Sequence, residues 1–335
     1  MSTAGAETPT RVPGFVDLQV NGGFGHDFSS DPASIWEVAA LLPRTGVTAF
    51  LPTIITSPVE AALAALEIVR SGPPAGWVGA TPLGVHLEGP MISTHKRGTH
   101  PAELVTSLSS ELVDRLIAAG PPLMVTIAPE LEGAEQVIRR FVAAGTVVSM
   151  GHSDASAAQA RTAVDWGASH VTHLFNAMSG LDRRRPGLAA TALIDPRVTT
   201  GLIADGVHVA PEMLQLAFQL KGPDGISLVT DAMAAVGTED GTHQIGNAEV
   251  KVEGMEARNF EGALAGGVAT MDHVVRTMIA STGCSLAEAS AMASATPLRV
   301  VGQAADGIDA VNLDADLRVV TTEISGRVVY ERGTS

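Results

Sequence analysis

A single cysteine, Cys284, stands in the 335 residues, which excludes an intrachain disulfide and any thiolate metal site. Such a chain suits a reducing compartment. Basic residues are also few: 21 Lys plus Arg face 36 Asp plus Glu, for a formal net charge of −15. With no basic run and no aromatic–basic alternation, that field repels a polyanion and excludes nucleic acid as the expected partner. No apolar run approaches the roughly 20 residues that a membrane-spanning helix needs. MSTAGAETPTR at the start lacks the charged and apolar regions of a secretory signal. The expectation is a cytoplasmic protein with no membrane partner. Aromatics are sparse, with one Tyr and three Trp, whereas Gly numbers 35, a balance that suggests close helix–strand packing.

What is present is an alternation of apolar runs and amphipathic stretches, and 45% hydrophobic residues suffice for a sizeable core. Runs at 14–20, 47–51, 82–87, 123–127, 147–150, 169–172, 199–203 and 226–229 read as strands. Helical spacing fills 34–42, 58–70, 109–119, 134–144, 155–165 and 211–219. Eight strands separated by helices point to an α/β fold with a parallel sheet, most economically a closed (β/α)8 TIM-like barrel, with a doubly wound sheet as the alternative. The barrel is favoured because Gln19, Asn21, Glu88, His152, His173, His208 and Asp231 all fall at or just past the C-terminal ends of the runs, where a barrel carries its chemistry. Residues 237–264 and 305–333 break the alternation and read as short strands and turns, while 268–281 and 285–295 return to helix. The expected division is a barrel of 13–236 and 265–300 and a small β-sandwich domain of 1–12, 237–264 and 301–335.

In the stretch 147–178 two apolar runs each end on a histidine, His152 and His173, with a helix-like segment between. Either imidazole alone suits an ordinary strand-end histidine bonded to backbone. Glu88, ending the third run before Gly89-Pro90, adds a carboxylate, and one Glu with two His fits a divalent ion with an open position. His86 reads as a core or supporting residue. Asp231 ends the eighth run, where it suits general base and then general acid, or a helix N-cap. His208 suits donation to a substrate oxygen, and Asp205 suits orienting a neighbour or serving the turn with Gly206. Leu181–Gly187 is the densest positive cluster; it is a surface loop or an arginine fork for phosphate.

Taken together, PGFVDLQVNGG (13–23), HLEGPMISTHKRGTHP (86–101), MGHSDA (150–155), THLFNAM (172–178), RRPG (184–187), DGVH (205–208), VTDAM (229–233) and LAGG (264–267) resemble the N-acetylglucosamine-6-phosphate deacetylases, a branch of the amidohydrolase superfamily. The resemblance implies Glu88, His152 and His173 as ligands of one divalent metal, Zn2+ first and Fe2+ as the alternative. It implies Asp231 as acid/base, His208 as the contact to a substrate oxygen, and Asn176, Ala177 and Arg184 at the phosphate end. Ala265 and Gly266 of the LAGG segment are implied as further substrate contacts. The implied reaction is hydrolysis of the N-acetyl group of N-acetylglucosamine 6-phosphate, an amino-sugar phosphate, by a homodimer in which phosphate contacts cross the interface. Gln19-Val20-Asn21 stands where many amidohydrolases carry His-x-His, and since amides are poor ligands for a transition metal, one metal is expected. About a dozen residues precede the PGF segment, so the satellite domain is expected to be N-terminally truncated, with an edge exposed or covered by the partner. The alternatives are an amidohydrolase acting on another N-acyl amine and a non-catalytic sugar-phosphate-binding protein.

Overall fold

The computed structural model describes residues 9–333 except 108, 247, 305, 306 and 308. Most of the 1–12 segment expected in the β-domain, residues 1–8, therefore lies outside the described residues.

Eight parallel strands form the barrel. In order around the sheet they are Phe15–Val20, Val47–Ile55, His86–Glu88, Met124–Ile127, Val147–Met150, His170–Val171, Thr199–Leu202 and Ile226–Leu228. Each apolar run thus became a strand, and β-branched residues with few polar interruptions are what a sheet covered on both faces requires. The second strand runs further than its apolar core, to Ile55. The third is broken, with Thr81–Pro82 pairing separately with the second strand before His86 resumes. The ladder passes unbroken from the eighth strand round to the first. Closure between first and last comes through an isolated bridge, Val20 with Ala232, and the 2.7 Å bond from Asn21 N to Ala232 O.

The helices lie outside this ring, and their buried faces join one apolar cluster with the outward-facing strand residues. Expected helices appear at Ile35–Leu41, Val59–Ser71, Ser110–Ala118, Ala134–Ala143 and Ala157–Trp166, the last opened by a capping box between Ser156 and Gln159. Pro211–Gly225 extends beyond its expected end across a kink at Gly222. Two α-helices were not expected: Ala295–Val300, and Leu188–Ile194, whose five buried residues of seven leave no polar stripe for periodicity to reveal.

The two irregular segments form separate antiparallel sheets. Thr10–Pro13, Ala310–Leu313, Val319–Ile324 and Arg327–Glu331 make a four-stranded sheet, whose Val12, Val311, Leu313 and Val319 join the main core. Gly241–Ile245, Ala248–Glu253 and Glu256–Asn259 make a three-stranded sheet. That sheet packs on the barrel rim through Ile245, Val250 and Val252 against Ile55 and Met233. No helix is long and apolar enough to cross a membrane among the described residues.

Candidate active site

Three ligand-capable side chains meet over the barrel's C-terminal rim. Glu88 Oε1 lies 3.2 Å from His152 Nε2 and 3.0 Å from His173 Nε2, and the two Nε2 atoms are 3.1 Å apart. All three residues are buried. They come from the third, fifth and sixth strands, and sharp backbone turns aim them: His152 has φ 46° and His173 φ 32°. Phe175, Ala177 and Asp231 also have positive φ, so left-handed non-glycine residues gather at this rim. Strain of that kind persists where surrounding structure over-determines it.

The donor set fits a divalent ion. His152 Nδ1 lies 2.8 Å from the carbonyl of Lys96, a pure acceptor, so Nδ1 carries the proton and Nε2 presents a lone pair. That lone pair faces the carboxylate and the second imidazole at about hydrogen-bond distance, an arrangement that demands an electrophile between them. Without an ion the demand falls on protons. The histidine hydrogen bonds hold Glu88 well below the carboxylate range although burial works to raise it, and the bond to Glu88 raises His173 against burial. A third imidazole, His100, belongs to a trio with Glu88 and His152 whose ligand atoms lie within 4.8 Å of one another. The Thr56 amide donates to His100 Nδ1 at 3.3 Å, which puts the neutral ring's proton on Nε2 and makes His100 a donor more naturally than a ligand.

Asp231 stands across the same cavity. Burial, and then the charge of Glu88, push its carboxyl up to about 6, while His173, His208 and Asn21 pull it down. Gln19 and Asn21 explain what an amide pair does at the end of the first strand. Gln19 Nε2 donates to Glu88 Oε1 at 3.1 Å and to Asp231 Oδ1 at 2.9 Å, and Asn21 Nδ2 donates to Asp231 Oδ1 at 2.7 Å. They hold the two carboxylates as donors.

The cavity has a volume of about 370 Å³ and is lined by Glu88, His152, His173, Asn176, Ala177, His208, Asp231 and Gly266 among others. Two of the residues named from the sequence lie elsewhere. Ala265 is buried in the apolar cluster beneath the three-stranded sheet and does not line the cavity, although its neighbours Leu264 and Gly266 do. Arg184 is exposed outside the cavity wall, on a loop where Asp182 accepts from the amides of Arg184 and Arg185. His86 is buried between Thr53 and Thr126, a supporting residue as its place in the strand suggests.

Sequence reasoning missed Asp17. It is buried, accepts the Thr230 hydroxyl at 2.5 Å and the Gln19 amide at 3.1 Å, and so joins the first strand to the residue before Asp231. Its signal was a charge inside an apolar run, which needs a buried partner. Glu130 was also missed: it accepts from Ser153 Oγ at 2.7 Å and the Asp154 amide at 2.6 Å, steadying the turn that follows His152.

The amidohydrolase family profile matches residues 10–330. The N-acetylglucosamine-6-phosphate deacetylase of Mus musculus is 41% identical over 345 residues, covering 96% of this chain and 83% of that protein. The chain belongs to this branch of the amidohydrolase family. The branch includes more than one sugar: an N-acetylgalactosamine-6-phosphate deacetylase of Escherichia coli O157:H7 is 37% identical, over 94% of this chain and 86% of its own. Among solved structures, a mutant N-acetyl-D-glucosamine-6-phosphate deacetylase from Mycobacterium smegmatis in complex with N-acetyl-D-glucosamine-6-phosphate superposes with a TM-score of 0.89. It is 38% identical and covers 96% of this chain and 87% of that one. Amidohydrolases are metal-dependent, and the Glu/His group on this rim is where such an ion fits.

Proposed function

We propose that the chain hydrolyses the N-acetyl group of N-acetylglucosamine 6-phosphate, giving glucosamine 6-phosphate and acetate. The observation that carries this reading is the facing of Asp231 toward the Glu88, His152 and His173 cluster across one cavity, in a chain of the deacetylase branch.

Glu88, His152 and His173 would hold one divalent ion, Zn2+ with Fe2+ as the alternative, since both accept this ligand set. When bound, the ion supplies Lewis-acid polarisation and neutralises developing negative charge. Asp231, released by its burial from the usual carboxylate range, takes a proton from the attacking water and returns it to the departing amine. Gln19 and Asn21 keep its oxygens aimed throughout. His208 faces the cavity and donates to the amide oxygen; the backbone at Asn176 and Ala177, with that at Gly266, positions the sugar phosphate.

Arg184 is exposed and does not line its own cavity, which suits delivery to the cavity of a second subunit, so the working unit is a homodimer. The same reading places the protein in the cytoplasm. Residues 13–236 and 265–300 are the catalytic barrel, with 1–12, 237–264 and 301–335 as the β-domain.

The test is acetate release from N-acetylglucosamine 6-phosphate after chelation, with and without added Zn2+. Tight binding with no release on metal addition would leave a binding protein instead. Arg184→Ala should raise KM for the phosphorylated substrate far more than for unphosphorylated N-acetylglucosamine; equal effects would favour another N-acyl amine.

A further inference from the structure

We propose, building on the deacetylase reading, that Ile55 is the acyl gauge of the site: its side chain closes the end of the cavity that receives the N-acyl group and restricts that group to about the size of acetyl.

Ile55 ends the second barrel strand and pairs directly with Glu88 on the third, so an apolar side chain stands beside the carboxylate at the reacting centre. The cavity is otherwise divided by chemistry. His95, Lys96, His100, Asn176 and His208 are polar parts of its wall, whereas Ile55, Ile245 and Leu264 are apolar, with Ile55 and Ile245 packed in one cluster. Sugar hydroxyls and a phosphate need the polar parts, and a methyl group gains only by meeting the apolar ones. Position in the ring agrees. Asn176 and Ala177 follow the sixth strand and Ile55 ends the second, four strands away in a ring of eight and thus diametrically opposite. A substrate whose polar end lies at Asn176 and whose amide lies over the centre directs its acyl group at Ile55.

The gauge is held firmly. Ile55 is 3% exposed, and a Cβ built on Gly246, in the turn of the three-stranded sheet, would lie 3.0 Å from Ile55 Cδ1, so that turn packs on its tip. Behind it the structure offers room. Ile55 also lines a second, mostly apolar cavity of about 250 Å³ among Ile54, Val59, Leu87, Leu104 and Leu112. Ile55 is therefore the partition between the reacting centre and apolar space that can hold a longer chain.

The experiment measures amine release from glucosamine 6-phosphate carrying N-acetyl, N-propionyl or N-butyryl groups, with Zn2+ present. Wild type should favour acetyl over butyryl by at least about 10–200-fold in kcat/KM, the range that a single methylene commands in an apolar pocket. Ile55→Ala should raise the butyryl-to-acetyl ratio about tenfold or more, and Ile55→Val should raise the propionyl-to-acetyl ratio by less. Unchanged ratios in variants that still release amine from the N-acetyl substrate would overturn the gauge, as would a wild type that accepts all three equally. Should Ile55→Ala not fold, an unchanged ratio in Ile55→Val is enough to overturn it. A wild type that releases amine from none of the three defeats the deacetylase reading itself, and the gauge with it.

Discussion

Asp205 Oδ2 lies 2.6 Å from His208 Nδ1, and the other oxygen of the same carboxylate accepts the amides of Val207 and His208. The hydrogen bond and charge of His208 hold Asp205 below its ordinary value against burial, so the pair is a carboxylate facing an N–H. For Nε2 also to donate into the cavity the ring must carry both protons, one donated to Asp205 and one to the substrate oxygen. Asp205→Asn keeps the shape and removes that charge. Its kcat should fall about 10- to 100-fold, roughly 1.4–2.7 kcal/mol, with KM changed far less. Steady-state kinetics check this, and a pure KM effect would place Asp205 in substrate binding instead.

Asp231→Asn keeps the bonds to Gln19 and Asn21 within reach but cannot accept a proton. A loss of about 10²–10⁴ in kcat is expected, and a loss under about tenfold would remove Asp231 from the acid/base role. In the ion-free chain its folded value of about 6 means that the basic form is lost as pH falls through 6. A cation held by Glu88 lowers that value, so the acidic limb of kcat against pH should lie below 6 and move with the charge of the metal centre.

Removing a ligand should be legible without any assay of turnover. Glu88→Gln leaves two imidazoles and no anion, and since changes one layer further out already weaken binding 10–100-fold, affinity for Zn2+ should drop by at least about 100-fold. Elemental analysis reads this directly. Zn2+ at 100 times its Kd stabilises the wild-type fold by about 2.7 kcal/mol, and that rise in Tm should vanish in the variant.

Asp17 predicts a pH dependence of stability that runs opposite to that of a salt-bridged carboxylate. Burial pushes it up to about 7, with the Thr230 and Gln19 hydrogen bonds only partly offsetting that, against an ordinary value of 3.8. Between about pH 4 and 7 the folded chain keeps a proton that the unfolded chain has released. The contribution of this group to stability is therefore intact below about 4 and declines as pH rises to 7. Asp17→Asn has no such proton, so urea denaturation of wild type and variant should shift in favour of the variant as pH rises across that window. A constant difference would mean that Asp17 is ionised throughout.

The strand-end residues of the site were legible because a barrel places them by a rule that sequence can express: polar side chains just after apolar runs. Glu88, His152, His173, His208 and Asp231 were found that way, and the eight strands with them. Asp17 and Thr230 escaped because they meet across 213 residues of chain at the seam between first and last strands, a contact that no local spacing records. Ile55 escaped for a different reason: the apolar run was taken to end at Leu51, and the strand carries on through Pro52 and Thr53 to place an isoleucine beside Glu88. The division of the β-segments into two sheets was equally invisible, since both read as short strands and turns and only packing tells which face the rim receives.

The carbonyl of Lys96 that fixes His152 belongs to the loop roofing the cavity, and that loop is anchored again where Ser93 N donates to His152 O and where Arg97 meets Glu261, in the turn after the last strand of the three-stranded sheet. The roof and the metal centre are thus one mechanical unit. Any displacement of residues 93–97 would therefore take away the acceptor that sets the imidazole's tautomer, so the shape of the roof and the lone pair offered to an ion are set by the same stretch of backbone.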